Sequence, residues 1–145
     1  MFQRILVAVD ASPARHSVID LAGDMARLAG AEVRVVHVAP TTATLAAVVS
    51  LEDDDTAEDI LDEALTRLRA AGVTVEGTAV RAFTTQIATT ISSAAEDWGA
   101  DLLVLSPHHR GALEALVHPR ISDAVAHTGR IAVLLAPDHG PGDAH

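Results

Sequence analysis

Residues 5–9, Ile-Leu-Val-Ala-Val, form an unbroken apolar run that stops at Asp10. A strand with one wet face alternates apolar and polar residues. A run without that alternation is buried on both faces, the situation of a central strand in a parallel sheet covered by helices on each side. The chain then repeats the theme. Ser12-Pro13 reads as a cap followed by proline at the first helical position, and Val18, Leu21, Ala22, Met25, Leu28 and Ala29 keep the spacing of one helical face until Gly30 stops it.

A second strand is expected over 32–39, where Val33, Val35, Val36 and Val38 precede Pro40. The segment 40–55 carries Leu45-Ala46-Ala47-Val48-Val49 without a clear period and reads as a variable flap or partial helix. Glu52, Asp53, Asp54 and Asp55 then precede a helix with Ile60, Leu61, Ala64, Leu65 and Leu68 on one face. The acidic run reads as a solvent-facing helix start, where the helix dipole favours negative charge.

Beyond Gly72, Val73, Val75, Gly77 and Ala79 make a third strand. Thr84 or Thr85 opens a helix with Ile87, Ile91, Ala94, Ala95 and Trp98 in line, and 101–105 is a fourth strand. A helix from about 119 to 127 carries Ile121 and Val125 inward, and 131–136 is the fifth strand. Strands alternating with helices in this way demand an α/β architecture: one open, mainly parallel five-stranded sheet with helices on both faces. The domain spans 1–137, and 138–145, rich in Gly and Pro, is a disordered tail.

Composition narrows the function. Ten Arg and no Lys face twenty acidic residues, a net charge of -10 that repels phosphate backbones, so nucleic acid is not an expected partner. Without Lys there is neither Schiff-base chemistry nor a phosphate-loop lysine. Without Cys there is neither a disulfide framework nor thiol chemistry. No apolar segment is long enough to span a bilayer and no signal-peptide pattern opens the chain, so a cytoplasmic protein without membrane contact is expected. There is no GxSxG, no paired carboxylates with a pocket signature and no nucleotide loop with lysine, so the chain does not read as an enzyme.

The stretch 101–122 is the candidate site. Its apolar strand breaks at Ser106-Pro107 into a loop bearing His108, His109 and Arg110 before a helix begins near Pro119. In an open parallel sheet such a junction faces the crevice at the carboxyl ends of the strands, where ligands bind.

Three segments together resemble the universal stress protein family: Ile5-Leu6-Val7-Ala8-Val9-Asp10-Ala11-Ser12, the strand end Val36-His37-Val38, and Ala100-Asp101-Leu102-Leu103-Val104-Leu105 followed by loop, helix and Ile131-Ala132-Val133-Leu134-Leu135. The resemblance implies a Rossmann-like, adenine nucleotide alpha hydrolase-like sheet of order 3-2-1-4-5, with its switch point between the first and fourth strands. In ATP-binding members the Asp ending the first strand and the end of the second strand hold adenosine, which implicates Asp10 and Val38 here. Their loop reads GxxG, nine residues, then Gly-Ser or Gly-Thr, and its glycines let backbone N–H groups approach phosphates.

This chain keeps the spacing and loses the glycines. Ser106, His109 and Pro119 occupy the three places, Arg120 takes the following hydroxyl position, Ser122 matches a later one, and Gly111 survives just outside the pattern. The resemblance therefore places the chain with members whose ATP loop is degenerate. ATP is the one cofactor it implies, bound weakly or not at all.

The replacements have chemistry of their own. His108, His109, Arg110, His118 and Arg120 lie within thirteen residues and either solvate a drifted loop or form an altered anion site. No HxxxH or HxH pair occurs, so no metal is expected. Asp10 either receives a ligand's hydrogen bond or bonds the turn over 11–14. His16, His37 and His127 read as packing or surface residues. The expected function is a non-catalytic role in stress response, as a homodimer pairing through the last strand. The alternative is a nucleotide- or anion-binding sensor using Asp10 and the His/Arg loop.

Overall fold

The computed structural model describes residues 2–106 and 131–137. The helix expected over 119–127, the loop preceding it and the tail over 138–145 lie outside the described residues. Within them the order is β1 (Arg4–Val9), α1 (Arg15–Ala29), β2 (Glu32–Ala43), β3 (Val48–Ser50), α2 (Asp54–Ala70) and β4 (Val75–Phe83). A short 3-10 turn (Thr84–Gln86), α3 (Ile87–Trp98), β5 (Leu102–Leu105) and β6 (Ala132–Leu135) follow.

β1 pairs in parallel with β2 on one side and β5 on the other, β4 pairs in parallel with β2, and β6 with β5. The parallel strands thus run β4-β2-β1-β5-β6, the 3-2-1-4-5 order implied by the resemblance. Ile5, Leu6, Val7, Ala8 and Val9 of β1 are all buried, as their lack of alternation requires. Ile5, Val7 and Val9 join Val33, Val35, Val18, Ile19, Ile60 and Leu68 in a core beneath α1 and α2. Leu6 and Ala8 join Val36, Val38, Ile91, Ala95, Leu103 and Leu105 in a second core on the α3 side. At about 1.5–3 kcal/mol for each large apolar side chain removed from water, these two layers fix the sheet between its helices.

Three local expectations are corrected. β2 does not close at Pro40 but runs to Ala43, and 48–50 returns antiparallel against Thr41, Thr42 and Ala43. The segment without a helical period is therefore a hairpin that adds a sixth strand to the sheet. Proline is tolerated because β1 has already ended opposite His37, so its missing N–H removes no ladder bond to β1, while its carbonyl accepts from Leu51 N–H at 3.0 Å.

The buried stripe of α1 is Val18, Ile19, Ala22, Gly23 and Ala26, and Leu28, placed on the apolar face by its spacing, is 83% exposed. Small residues line the contact because α2 approaches closely: a Cβ on Gly23 would stand 3.3 Å from Leu68 Cδ2. Finally, α1 starts at Arg15, not at Pro13. Ser12 Oγ accepts the Ala14 N–H at 3.1 Å, and the backbone makes a preliminary turn before the helix proper. Gly30 ends α1 as expected, in the left-handed conformation (φ 67°) that a side chain disfavours.

Candidate functional site

The parallel register aligns three strands. Val9 lies opposite His37, and Val7 opposite Val104, so Asp10 and Ser106 stand just past the ends of β1 and β5, and Val38, expected at the end of the second strand, lies in the same row but inside β2, which runs on to Ala43. This is the switch point of the sheet, since β1 leads through α1 to β2 on one side and neighbours β5 on the other. Of the sequence-derived site residues, these three are brought to one row. His108, His109, Arg110, Gly111, Arg120 and Ser122 lie outside the described residues, as does His118.

Asp10 is half-buried, and its Oδ1 accepts the Ser12 N–H at 2.9 Å. The carboxylate thus makes the bond expected of an Asp that folds the turn after its strand. Val38 is buried in the α3-side core. Ser106 is only 2% exposed, and among the described residues its hydroxyl has no hydrogen-bond partner. A buried hydroxyl without a partner costs on the order of 1–3 kcal/mol, so Ser106 is the site residue with the strongest demand for a polar neighbour.

Asp10 accepts from its own turn, Val38 is a core residue within β2, and at the first position where the resemblance implies a glycine this chain has a buried serine.

Two helices also begin at this edge. Asp53 caps α2, its Oδ1 accepting the Thr56 N–H at 2.7 Å. That backbone bond holds its carboxyl below the usual carboxylate range. At the start of α1, Arg15 and His16 converge on Glu63 of α2 at 3.3 and 2.8 Å. Burial pushes the Glu63 carboxyl up, but the two donors outweigh it and its net shift is downward.

Sequence reasoning missed a buried pair. His37 is wholly buried rather than a surface or plain packing residue: its Nδ1 lies 3.0 Å from the Val9 carbonyl oxygen and its Nε2 2.5 Å from Glu52 Oε1. Glu52, read with its acidic neighbours as facing solvent, has a side chain only 6% exposed. Its carbonyl accepts from Arg81 Nη1 at 2.9 Å, and Arg81 Nη2 also pairs with Asp54. The signal available beforehand was His37 itself. A histidine inside a doubly buried apolar run needs partners for both ring nitrogens, and the sequence does not say which acid returns to meet it.

Comparison with known proteins is consistent with this architecture. A family model described as the universal stress protein family matches residues 1–137. A protein of that family from Burkholderia pseudomallei is 27% identical, with 94% of this chain and 97% of that chain covered at a TM-score of 0.70. The universal stress protein from Archaeoglobus fulgidus in complex with dAMP is 22% identical, covering 94% and 98% of the two chains at a TM-score of 0.68. A family protein from Arabidopsis thaliana with AMP bound is 16% identical, covering 92% and 90% at 0.59. No curated protein matches the chain.

Proposed function

The chain belongs to the universal stress protein family, and from that premise we propose that it serves stress response as a non-catalytic, homodimeric cytoplasmic protein that works through partners and binds ATP weakly or not at all. The observation that carries this reading is Ser106. At the first glycine position of the family's loop, this chain has a side chain buried at the end of β5, and the other two glycine positions hold His109 and Pro119. A backbone cradle for phosphates needs glycine because a Cβ occupies the approach and proline donates nothing. Dimerisation through β6 is supported by its place at the end of the strand order, where it pairs with β5 and exposes Leu135. Among the described residues no helix is long and apolar enough to cross a membrane.

A second reading is favoured by the Ser106 hydroxyl, which has no hydrogen-bond partner among the described residues: a nucleotide- or anion-binding sensor that uses Asp10, Val38 and Ser106 with the His/Arg loop. The relatives solved with dAMP and AMP support adenine nucleotides as the class to test. Isothermal titration with ATP, ADP, AMP and cyclic AMP in the presence of Mg separates the two. No binding at micromolar ligand is the expected result. Micromolar ATP affinity overturns the favoured reading, and its loss in Arg120→Ala then places the site on the loop.

A further inference from the structure

The His37–Glu52 pair has a proton count fixed by its surroundings. The Val9 carbonyl can only accept, so Nδ1 of His37 carries a proton. The 2.5 Å contact from Nε2 to Glu52 then holds one further proton between the two residues, as imidazolium with carboxylate or as neutral imidazole with carboxylic acid. Either form leaves the pair with no net charge. With the His37 side chain 0% and the Glu52 side chain 6% exposed, water does not replace a lost partner, and separating the two leaves both unsatisfied.

Glu52 is also the return point of the hairpin formed by the end of β2 and β3. That hairpin is held by main-chain pairing of Thr41, Thr42 and Ala43 with Ser50, Val49 and Val48, by Leu51 N–H to the Pro40 carbonyl, and by the Thr44 turn, and its base at Pro40 and Thr41 is itself paired with Ala82 and Phe83 of β4. Its apolar side chains, Leu45, Val48, Val49 and Leu51, are exposed and add nothing to either core. Beyond β2 itself, its return is anchored at Glu52, through the side chain to His37 and through the main-chain carbonyl to Arg81.

We propose that residues 42–51 form a strap that opens as one unit, and that the His37–Glu52 pair is its clasp. A segment with few buried apolar contacts has low local stability, and here that stability is concentrated at one internal pair. Opening is therefore all-or-none, since no part of the return strand is released until both buried partners separate. With the strap open, Nε2 of His37 loses Glu52, while His37 itself stays in β2 with Nδ1 against the Val9 carbonyl.

Hydrogen exchange of the full chain, compared among wild type, Glu52→Ala and Glu52→Gln, tests the clasp. Gln can donate its amide to neutral Nε2 while Nδ1 keeps its bond to Val9, so it preserves the connection without the shared proton. The expected result is exchange over 44–52 about tenfold or more faster in Glu52→Ala, the loss of one buried hydrogen bond, with Glu52→Gln close to wild type. Unchanged exchange over 44–52 in Glu52→Ala, or exchange in Glu52→Gln as fast as in Glu52→Ala, overturns the proposal. Should Glu52→Ala fail to fold, the wild type alone decides by residue-resolved exchange. Similar protection at the Thr44 and Leu51 amides supports one opening unit, and a steady loss of protection from Leu51 towards the turn, the mark of fraying, overturns it.

Discussion

The two ends of the sheet are closed by opposite means. At the amino end, the Asp101 carboxylate accepts the Gln3 and Arg4 N–H groups at 2.8 and 3.0 Å, and Arg4 pairs with Glu32 at 3.2 Å and donates to the Trp98 carbonyl at 2.8 Å. Arg34 pairs with Glu76 and lies 4.8 Å from the centre of the Trp98 ring. These charges keep much of their hydration. At the carboxyl end, His37 and Glu52 have almost none to keep. An exposed ion pair is worth about 0–1 kcal/mol because water competes for both partners, whereas removing one member of a buried pair costs roughly 3–5 kcal/mol because the other is left behind. Contacts of similar length therefore rank very differently, and burial is what ranks them.

The largest expected effect breaks the carboxyl end. His37→Ala destabilises the fold by roughly 3 kcal/mol, since Glu52 and the Val9 carbonyl lose their partner together. Urea unfolding measures it, and a loss below about 1 kcal/mol would put the two ends on the same footing.

An intermediate effect tests the amino end. Arg34→Ala removes the Glu76 pair and the Trp98 contact and costs about 1 kcal/mol. Trp98 is the one tryptophan and there is no tyrosine, so its fluorescence reports this end of the sheet. Repeating both substitutions in about 1 M salt, where charges more than about 3 Å apart in water are screened, sharpens the contrast. The Arg34 effect shrinks while the His37 effect persists, and equal salt sensitivity would mean that His37 is not shielded from solvent.

The smallest effect is on acid stability. Asp53 and Glu63 both have lowered folded-state values, Asp53 through its cap bond and Glu63 because Arg15 and His16 outweigh the effect of burial. A depressed carboxylate contributes stability that is fully present above its unfolded-state value and is lost as pH falls through its folded value. The thermal midpoint accordingly declines with acidification below the ordinary carboxylate range. Asp53→Asn, which keeps an acceptor oxygen but does not titrate, makes that decline shallower. An unchanged slope would remove Asp53 from the account.

Much of this architecture was legible in residue order. The run 5–9 announces a doubly buried strand because nothing polar interrupts it, and β1 is that strand. The face of α2 with Ile60, Ala64 and Leu68 is buried as its spacing predicts. Failures came where the deciding contact is distant in sequence. Leu28 has the right spacing but α2 packs on the small residues beside it, and 40–55 has no period because a hairpin held by its backbone needs none. Asp10 and Ser106 were legible as neighbouring strand ends because strand ends are local features, and their alignment follows from the register, whereas the end of β2 was placed too early at Val38 because the hairpin that extends it is held by pairing that residue order does not show.

By itself, then, the sequence determined the alternation of strands and helices and the doubly covered sheet. Each of these depends on residue type and spacing along the chain. Only the tertiary structure decided that His37 meets Glu52 and that the segment between them is a hairpin. Glu52 is one of four consecutive acids, and which of them is buried depends on where the returning chain crosses the end of β1, a geometry no local pattern encodes.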